Sequence, residues 1–335
     1  MKTENLSADH ADHLTRAAEL LTAGKLVAVP TETVYGLAAD ASNSAAVARI
    51  FTAKGRPPNH PLIVHIASPD EMCNWAEQIP AAAYTLAEQF WPGPLTLLLK
   101  KAAKVDAIVT GGQPNIALRT PAHPVIQTSR HPDIQTLLRM TKLGLAAPSA
   151  NPYQQVSPTQ AKHVAAGLDG KIDAILDGGS CALGMESTIL DLTQHEPQIL
   201  RNGPITAEAI ALCLGCDVAQ PQQHDVAISG NKRQHYQPKK PLYLFNTDQL
   251  HDILAITPPR IALVAYSESL KTRASTHRHL ICLAASPEKT RYAQALYSTL
   301  HELDSMDIDA IWIERPPQTP EWNDVNDRLK RAASR

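Results

Sequence analysis

The stretch LVAVPTETVYGLAADASNSAAVARIFTAKGRPPNHPLIVHI, residues 26–66, carries the clearest structural signal in the chain. Its apolar ends, residues 26–29 and 62–66, predict two buried strands. A hydroxyl-rich turn follows the first strand, and a helix over residues 44–53 is predicted to end at Gly55. Open α/β sheets bind ligands at strand ends, so the polar residues between the two strands are site candidates. They are Thr31, Thr33, Tyr35, Lys54, Arg56 and His60. A surface loop with two solvated cations is the alternative that this stretch alone leaves open.

Polar residues also stand beside other predicted strands in this part of the chain. Strands are predicted at residues 95–99, 116–118, 145–147, 174–176, 188–192 and 198–200, and helices at residues 14–22, 69–76, 81–90 and 207–214. Arg119, Ser149 and Arg201 each follow a strand, and Ser187 precedes one. Side chains that a sheet gathers at its strand ends commonly form concave sites. The pattern therefore predicts a cleft along one sheet.

The last third of the chain differs in composition. Residues 226–247 contain no Asp or Glu but include four cations, which is typical of a basic linker. A solvated spacer is the simplest interpretation of this segment. Beyond it, strands are predicted at residues 242–245, 261–265, 279–283 and 308–313. One helix is predicted between the first two of these strands, and two more are predicted at residues 287–303 and 322–332. This alternation predicts a small, mostly parallel, Rossmann-like α/β domain.

Composition sets bounds on the class of protein. A length of 335 residues predicts two domains, and 44% apolar with 19% charged residues is typical of a folded globular protein. The polar N-terminus is unlike a secretory signal and no apolar run is long enough to cross a bilayer, so we expect a cytoplasmic protein without membrane contact. Among five cysteines, Cys213 and Cys216 are expected to pack rather than to bind zinc or form a redox pair. A net charge of −2 gives no overall attraction to nucleic acid.

Familiar nucleotide and hydrolase signatures are missing from the sequence. It has no GxxxxGKS/T, no GxGxxG after a strand, no HExxH and no GxSxG. The remaining chemistry-bearing residues are cations and hydroxyl or amide groups, namely Lys54, Arg56, Arg119, Ser149, Asn151, Ser157 and Arg201. Guanidinium groups bind carboxylates and phosphates, and hydroxyl or amide donors complete the coordination. The set predicts a site for a polyanion together with a carboxylate.

Six motifs together carry a family resemblance. They are PTETVYGL at residues 30–37, KGRP at 54–57 followed by HPLIVHI at 60–66, ALRTPAHP at 117–124, APSAN at 147–151 and GMESTILD at 184–191. With these motifs the chain closely resembles the YrdC-domain threonylcarbamoyl-AMP synthases in their two-domain form. The resemblance covers residues 14–219. It implies a YrdC-like twisted, open mixed sheet with a concave basic cleft in residues 1–219, a linker or lid in residues 220–240, and the C-terminal domain in residues 241–335.

The resemblance implies a nucleotidyl transfer reaction. Such enzymes combine ATP, L-threonine and bicarbonate or carbon dioxide to give threonylcarbamoyl-AMP and pyrophosphate, usually with Mg²⁺ held mainly by the ATP phosphates and with no redox cofactor. The product feeds the threonylcarbamoyl modification of the tRNA adenosine next to the anticodon. A downstream threonylcarbamoyl-transferase machinery is therefore the expected partner, and any contact with tRNA is expected to be weak or transient.

The resemblance also implies roles for individual residues. Those implied to be catalytic are Lys54, Arg56, Ser149 and Asn151. Those implied to bind ATP are Arg56, His60, Asn115, Ser149, Ser157, Arg201 and Tyr236. Those implied to bind L-threonine are Thr33, His65, Arg119, Ala147 and Ser187, with Arg119 as the fork for the carboxylate. For His65, which lies in an apolar strand, a buried core histidine is the alternative.

The linker of the two-domain relatives has a pattern like KYRHYAP and folds over the nucleotide. This chain has KRQHYQP at residues 232–238, so it keeps Tyr236 but has Arg233 at an aromatic position.

Two other functions remain open. An RNA-binding protein without catalysis is disfavoured by the near-neutral net charge. An adenylate-forming enzyme that uses carbamoyl phosphate is disfavoured because such proteins carry acylphosphatase and zinc-finger segments, which this sequence lacks.

Overall fold

A computed structural model describes residues 2–122, 134–221, 224, 226–230, 234–249, 260–274 and 280–333. The chain divides into two compact units: the first comprises Met1–Tyr153 and Ser157–Asn231, the second Gln154–Val156 and Lys232–Arg335. In the described ranges, no helix has the length and apolar content needed to cross a bilayer. Several predicted features lie outside the described residues, namely Lys232 and Arg233 of the linker and residues 123–124 of the ALRTPAHP motif. Residues 250–259, between the predicted strands at 242–245 and 261–265 where a helix is expected, also lie outside them.

The first unit is built on one large mixed sheet. Its described strands are β1 (Glu4–Ser7), β2 (Val27–Val29), β3 (Gly36–Asp40), β4 (Ile63–His65), β5 (Leu95–Lys100), β6 (Asn115–Arg119), β7 (Leu145–Ala146), β8 (Ala174–Asp177), β9 (Thr188–Asp191) and β10 (Gln198–Arg201). They lie in the order β1-β8-β2-β3-β7-β4-β6-β5-β9-β10, with both parallel and antiparallel neighbours. The helices are α1 (Ala11–Thr22), α2 (Ser44–Lys54), α3 (Ala81–Phe90), α4 (Ala107–Thr110), α5 (Ile134–Thr141), α6 (Ala161–Leu168) and α7 (Ala207–Leu214). The predicted mixed α/β architecture is confirmed.

Two elements of this unit differ from the sequence-based predictions. The turn after β2 was expected to lead to a helix, but β3 comes first and pairs antiparallel with both β2 and β7. Its sequence, Gly-Leu-Ala-Ala-Asp, lacks the β-branched residues that mark a strand, and burial between two neighbours stabilises it instead. The helix predicted at residues 69–76 is a short 3-10 helix, Pro69–Asn74.

Alternation along the central strands separates a core face from a second face, which we call the cleft face. On β4, Val64 joins the main hydrophobic core, whereas Ile63 belongs to a separate apolar cluster on the cleft face. His65 is two residues from Ile63 and therefore shares its face. Leu118 of β6 likewise joins the core, and the next residue, Arg119, pairs in register with His65. The sheet thereby places these two polar side chains side by side.

The second unit contains a smaller sheet. Its described strands are β11 (Leu242–Phe245), β12 (Ile261–Ala265), β13 (Leu280–Ala284) and β14 (Ala310–Glu314), all parallel and in the order β11-β14-β12-β13. Its helices are α8 (Glu268–Ala274), α9 (Lys289–Ser305) and α10 (Asn323–Ala332), with 3-10 helices at Thr247–Gln249 and Pro320–Trp322. The prediction of a smaller, parallel α/β part is confirmed.

Candidate active site

A hydrogen-bonded turn connects β2 to β3 and begins the site. The hydroxyl of Thr31 accepts from the backbone N–H groups of Thr33 and Val34, both at 3.2 Å, and donates to the carbonyl of Val34 at 2.7 Å. A threonine hydroxyl that closes its own turn in this way fixes the local backbone. The turn presents the hydroxyl of Thr33 and the carboxylate of Glu32, which are each 1% exposed.

Arg119 at the end of β6 is buried and bound on three sides. Its Nε donates to the carbonyl of Gly93 at 3.0 Å, its Nη1 donates to Thr33 Oγ1 at 3.0 Å, and its Nη2 forms an ion pair with Glu32 Oε1. The predicted carboxylate fork therefore already has an acidic partner inside the protein. Glu32 lies within the PTETVYGL motif, but no role was predicted for it.

His65 lies beside Arg119 in a buried position. Among the residues described, its Nδ1 has no hydrogen-bond partner. Burial, reinforced by the positive charge of Arg119, lowers the pKa of His65 well below its ordinary value. The imidazole is therefore neutral at pH 7 and can accept a hydrogen bond at one ring nitrogen while donating one at the other.

A second arginine cluster adjoins the first through neighbouring strands. Ser187 Oγ lies 2.7 Å from Thr96 Oγ1, and Arg201 donates to the Ser187 hydroxyl and carbonyl, both at 3.0 Å. The third contact of Arg201 is from Nη1 to the carbonyl of Ser229 at 2.9 Å. Because Gly93 binds Arg119 and Thr96 binds Ser187, the segment that starts β5 contacts both arginine clusters.

Lys54 organises the loop that carries two of the predicted site residues. Its Nζ donates to the carbonyls of Ser149 and Asn151, the second at 2.5 Å, and lies 3.4 Å from Asn151 Oδ1. Burial and the nearby Arg56 lower the pKa of Lys54 well below its ordinary value, whereas the surrounding acceptors favour the ammonium form. The ammonium of Lys54 thus links the end of α2 to the Ser149–Asn151 loop.

The other predicted nucleotide ligands of the first unit lie on loops near α2 and β9. Arg56 Nη2 donates to the carbonyl of Pro61 at 2.9 Å. The ring of His60 lies 5.4 Å from that of Tyr153. Ser157 is fully buried and donates to Glu186 Oε1 at 2.6 Å. Glu186 directly precedes Ser187 and, like Glu32, was not assigned a role from the sequence.

An apolar pocket lies against part of the cleft face. Asn115 at the start of β6 lines it together with Ile63, Leu98, Ala117, Ile189 and the segment 226–229. Ala147 lies at the nearby end of β7, where its N–H donates to the carbonyl of Ile63 at 3.1 Å. The cleft face is therefore apolar around Asn115 and polar around Arg119 and Arg201.

Tyr236 belongs to the second unit. Its ring stacks on Tyr297 at 5.7 Å, and the guanidinium of Arg328 lies 5.4 Å from the ring centroid. Tyr236 is 1% exposed and has a left-handed backbone with φ of 61°. Its predicted contact with ATP stays a prediction, as do the ligand roles of the other residues.

The sequence assigns no role to the two buried acids, Glu32 and Glu186, although Glu186 stands with Ser187 before a predicted strand. The predicted site is one for a polyanion and a carboxylate, which cations and hydroxyl or amide groups bind. Both acids nevertheless lie inside the motifs that carry the resemblance. The expected burial of Arg119 could have indicated a nearby carboxylate, because a buried charge is costly without a partner. The partner of Arg119 is, however, 87 residues away in sequence.

Comparisons with known proteins match two consecutive segments of the chain. The family model for Sua5, YciO and YrdC, described as "Telomere recombination", matches residues 19–203. A second model, described as "Threonylcarbamoyl-AMP synthase, C-terminal domain", matches residues 205–334.

Curated relatives match over the same regions. The threonylcarbamoyl-AMP synthase of Bacillus subtilis is 36% identical over 99% of this chain and 98% of its own length. That of Pyrococcus abyssi is 44% identical over 66% of this chain, and the alignment spans 64% of the relative's length. The relative from Schizosaccharomyces pombe is 33% identical over 92% of this chain and 85% of its own length.

Solved structures of similar proteins cover nearly the whole chain. Sua5 of P. abyssi complexed with L-threonine has a TM-score of 0.85 and 33% identity, covering 99% of this chain and 98% of its own. A variant of the same Sua5, with a histidine and the following tyrosine changed to alanine, has a TM-score of 0.86 and 32% identity and covers 99% and 96%. The resemblance seen in the sequence is confirmed: this chain belongs to the Sua5, YciO and YrdC family, as a two-domain threonylcarbamoyl-AMP synthase.

Proposed function

We propose that the chain converts ATP, L-threonine and bicarbonate to threonylcarbamoyl-AMP, pyrophosphate and water, or uses carbon dioxide without forming water. The observation that carries the proposal is the pair of adjoining buried arginine clusters, at Arg119 and Arg201, on the cleft face of one sheet. One cluster suits a small carboxylate and the other a phosphate chain. Membership of the family supports the pairing of these two ligands.

The amino-acid subsite is proposed to lie at Arg119. Its remaining N–H donors would bind the carboxylate of threonine, since guanidinium groups match carboxylate geometry. Neutral His65, the hydroxyls of Thr33 and Ser187, and the backbone at Ala147 would bind the ammonium and hydroxyl groups. The related Sua5 of P. abyssi has been solved with L-threonine, which supports an amino-acid subsite in this fold.

The ATP subsite is proposed to use the second set of predicted residues. Arg56 and Arg201 would contact the phosphates, and Ser149, Asn151 and Ser157 would donate hydrogen bonds. His60, Asn115 and Tyr236 complete the proposed contacts. Lys54 would act mainly by holding the Ser149–Asn151 loop, because its ammonium is engaged with that loop's carbonyls. The adjacent pair His235 and Tyr236 corresponds in type to the histidine and tyrosine changed in the P. abyssi variant.

The proposed chemistry needs positioned charge more than covalent catalysis. A carbamate forms from the free amine of threonine and carbon dioxide, and the protein binds it and excludes water. A carbamate oxygen then attacks the α-phosphorus of ATP, the bond to the bridging oxygen of the β-phosphate breaks, and pyrophosphate leaves. Cations and hydrogen-bond donors placed at the phosphoryl oxygens stabilise the charge that accumulates there.

Mg²⁺ is proposed to enter with the triphosphate. Within the residues that the structure describes, no group of three or more His, Cys, Asp or Glu side chains could hold a metal ion. Mg²⁺ retains several waters and commonly binds through substrate phosphates with few protein ligands, so it would be held mainly by the phosphates of ATP. The product would then pass to a threonylcarbamoyl-transferase that modifies the tRNA adenosine next to the anticodon, with at most transient contact between tRNA and this chain.

Pyrophosphate release tests the proposed function. It should be substantial only when ATP, L-threonine and bicarbonate are present together, and release without threonine would contradict the proposal. Arg56→Ala should reduce kcat/KM for ATP at least ~100-fold, because a phosphate ligand is lost. Arg49→Ala is the matched control: Arg49 lies on α2, the helix that precedes Arg56, but pairs with Asp173 at 2.7 Å, outside the proposed site. Full activity of Arg56→Ala would remove Arg56 from the mechanism.

A further inference from the structure

Glu32 has contacts on three sides within the first unit. Its carboxylate pairs with Arg119 through Oε1 and accepts from the N–H of Ala122 through Oε2 at 3.0 Å. Its backbone carbonyl accepts from the N–H of Leu183 at 2.8 Å. This one residue therefore joins the turn before β3 to the loop after β6 and to the loop before β9.

We infer that Glu32 is a positioning and specificity residue of the amino-acid subsite, which fixes the guanidinium of Arg119 and balances its charge so that the subsite favours a zwitterion over a carboxylate anion. The inference rests on the proposed function, in which the carboxylate of threonine binds Arg119. The inference gives a role to a carboxylate side chain that lies next to the proposed binding site of the ligand's carboxylate.

The geometry supports the positioning role. A guanidinium has five N–H donors, and the carbonyl of Gly93, the hydroxyl of Thr33 and the carboxylate of Glu32 take three of them. Because the three acceptors come from different segments, they fix both the position and the plane of the guanidinium. The two remaining donors then point in directions set by the protein. Without Glu32, two neutral acceptors would remain, and the strongest of the three contacts would be lost.

The charge balance supports the specificity role. The side chains of Arg119 and Glu32 are 4% and 2% exposed, so water screens their charges little. Arginine remains protonated in proteins, so the pair as a whole is neutral. His65 adds no charge because its pKa is lowered. Arg201, which donates to Ser187, adds one positive charge. Glu186, the residue before Ser187, adds one negative charge.

A ligand's charge therefore decides how well it fits this subsite. Threonine enters as a zwitterion of zero net charge and leaves the balance unchanged. A carboxylate without the α-ammonium would add an uncompensated negative charge beside Glu32, and a buried unpaired charge is costly. The acid thus rejects simple hydroxy acids, which share the carboxylate and hydroxyl of threonine.

Binding of two matched ligands to the full-length protein tests the inference. L-Threonine and 3-hydroxybutanoate differ in the α-ammonium, and isothermal titration gives the Kd of each. The wild type should prefer threonine, so the Kd of 3-hydroxybutanoate divided by the Kd of threonine should be large. Glu32→Gln should reduce this ratio by about tenfold or more. Glu32→Asp keeps the charge but shortens the side chain, so it should weaken threonine binding while keeping the ratio within about threefold.

A control and two contrary outcomes complete the test. Asp191→Asn removes a different buried carboxylate, one that accepts from the N–H of Thr193 at 2.8 Å, and should change neither Kd. An unchanged ratio in a folded Glu32→Gln variant would overturn the inference but leave the proposed function intact. Failure of the wild type to bind threonine would overturn both. If Glu32→Gln does not fold, as judged by circular dichroism, loss of the preference in Glu32→Asp would count against the inference.

Discussion

His65 shows how a single buried group couples the candidate site to the stability of the fold. Its pKa is lowered well below 6.5 by burial and by Arg119, whereas in the unfolded chain it titrates near 6.5. Below pH 6.5 the unfolded state therefore binds a proton that the folded state does not. The free energy of unfolding should fall with decreasing pH, by up to about 1.4 kcal/mol per pH unit, until the lowered pKa is reached. Above pH 6.5 this contribution is constant.

Urea unfolding at pH 7.5, 6.5 and 5.5 measures this effect. His65→Gln should make the decrease between pH 6.5 and 5.5 shallower than in the wild type. His195→Gln serves as the control because His195 is exposed, and its slope should match the wild type. A wild-type slope in His65→Gln would contradict a buried neutral imidazole at this position.

The sequence predicts which residues gather at the site better than what each of them contacts. Arg119 and His65 were placed in one subsite by the family resemblance, and the structure pairs them in register on β6 and β4. The Glu32–Arg119 pair could not be foreseen, because the two residues are brought together by loops whose paths depend on the whole sheet. The resemblance implies a catalytic role for Lys54, yet its Nζ donates to the backbone carbonyls of Ser149 and Asn151, and such contacts have no sequence signature.

Helix α2 positions Arg56 through its two ends. Asn43 caps its start by accepting from the N–H groups of Ala45 and Ala46, both at 3.1 Å. Gly55 ends the helix with φ of 63°, so the chain turns before Arg56. The helix and its glycine stop were predicted because Gly favours this left-handed conformation. Strand β3 was not, because only its burial between β2 and β7 distinguishes it from an alanine-rich loop.

Gly55→Ala tests the contribution of this turn. An added Cβ at Gly55 would meet no atom within 4 Å, so the cost comes from the backbone alone, about 1 kcal/mol of unfolding free energy. We also expect the KM for ATP to rise several-fold, because the turn that presents Arg56 is strained. Gly215→Ala is matched, since Gly215 ends α7 with φ of 68° and also has open space. Equal stability losses with equal KM values in the two variants would contradict a role for this turn in ATP binding.

For the organisation of the whole chain, the contacts of residues 226–230 matter as much as the second unit does. This segment belongs to the first unit, where Ser229 accepts from Arg201 and Ile228 packs with the apolar cluster of the cleft face. The sequence identified it only as part of a basic linker, because its contacts are with strands far away in the chain. The division into residues 1–219, 220–240 and 241–335 therefore remains our proposal for the functional parts.

Two truncations separate the contribution of this segment from that of the second unit. Removing residues 225–335 should reduce pyrophosphate release at least ~10-fold, because Arg201 loses an acceptor and the apolar cluster is exposed. A chain that ends at residue 231 retains these contacts and should bind threonine more tightly than the shorter chain. Titration with L-threonine and the pyrophosphate assay measure the two effects. Unchanged turnover in the shorter chain would make everything after residue 224 accessory.

The two-faced strands of the first unit also constrain how this protein can change length during evolution. Val64 and His65, like Leu118 and Arg119, are adjacent residues that serve the core and the cleft respectively. An insertion or deletion of one residue within β4 or β6 would exchange these faces, burying His65 or Arg119 in the core and exposing valine or leucine in the cleft. Substitutions can be absorbed one at a time, but a shift of register damages stability and ligand binding together. Length variation among relatives should therefore fall in the connecting loops.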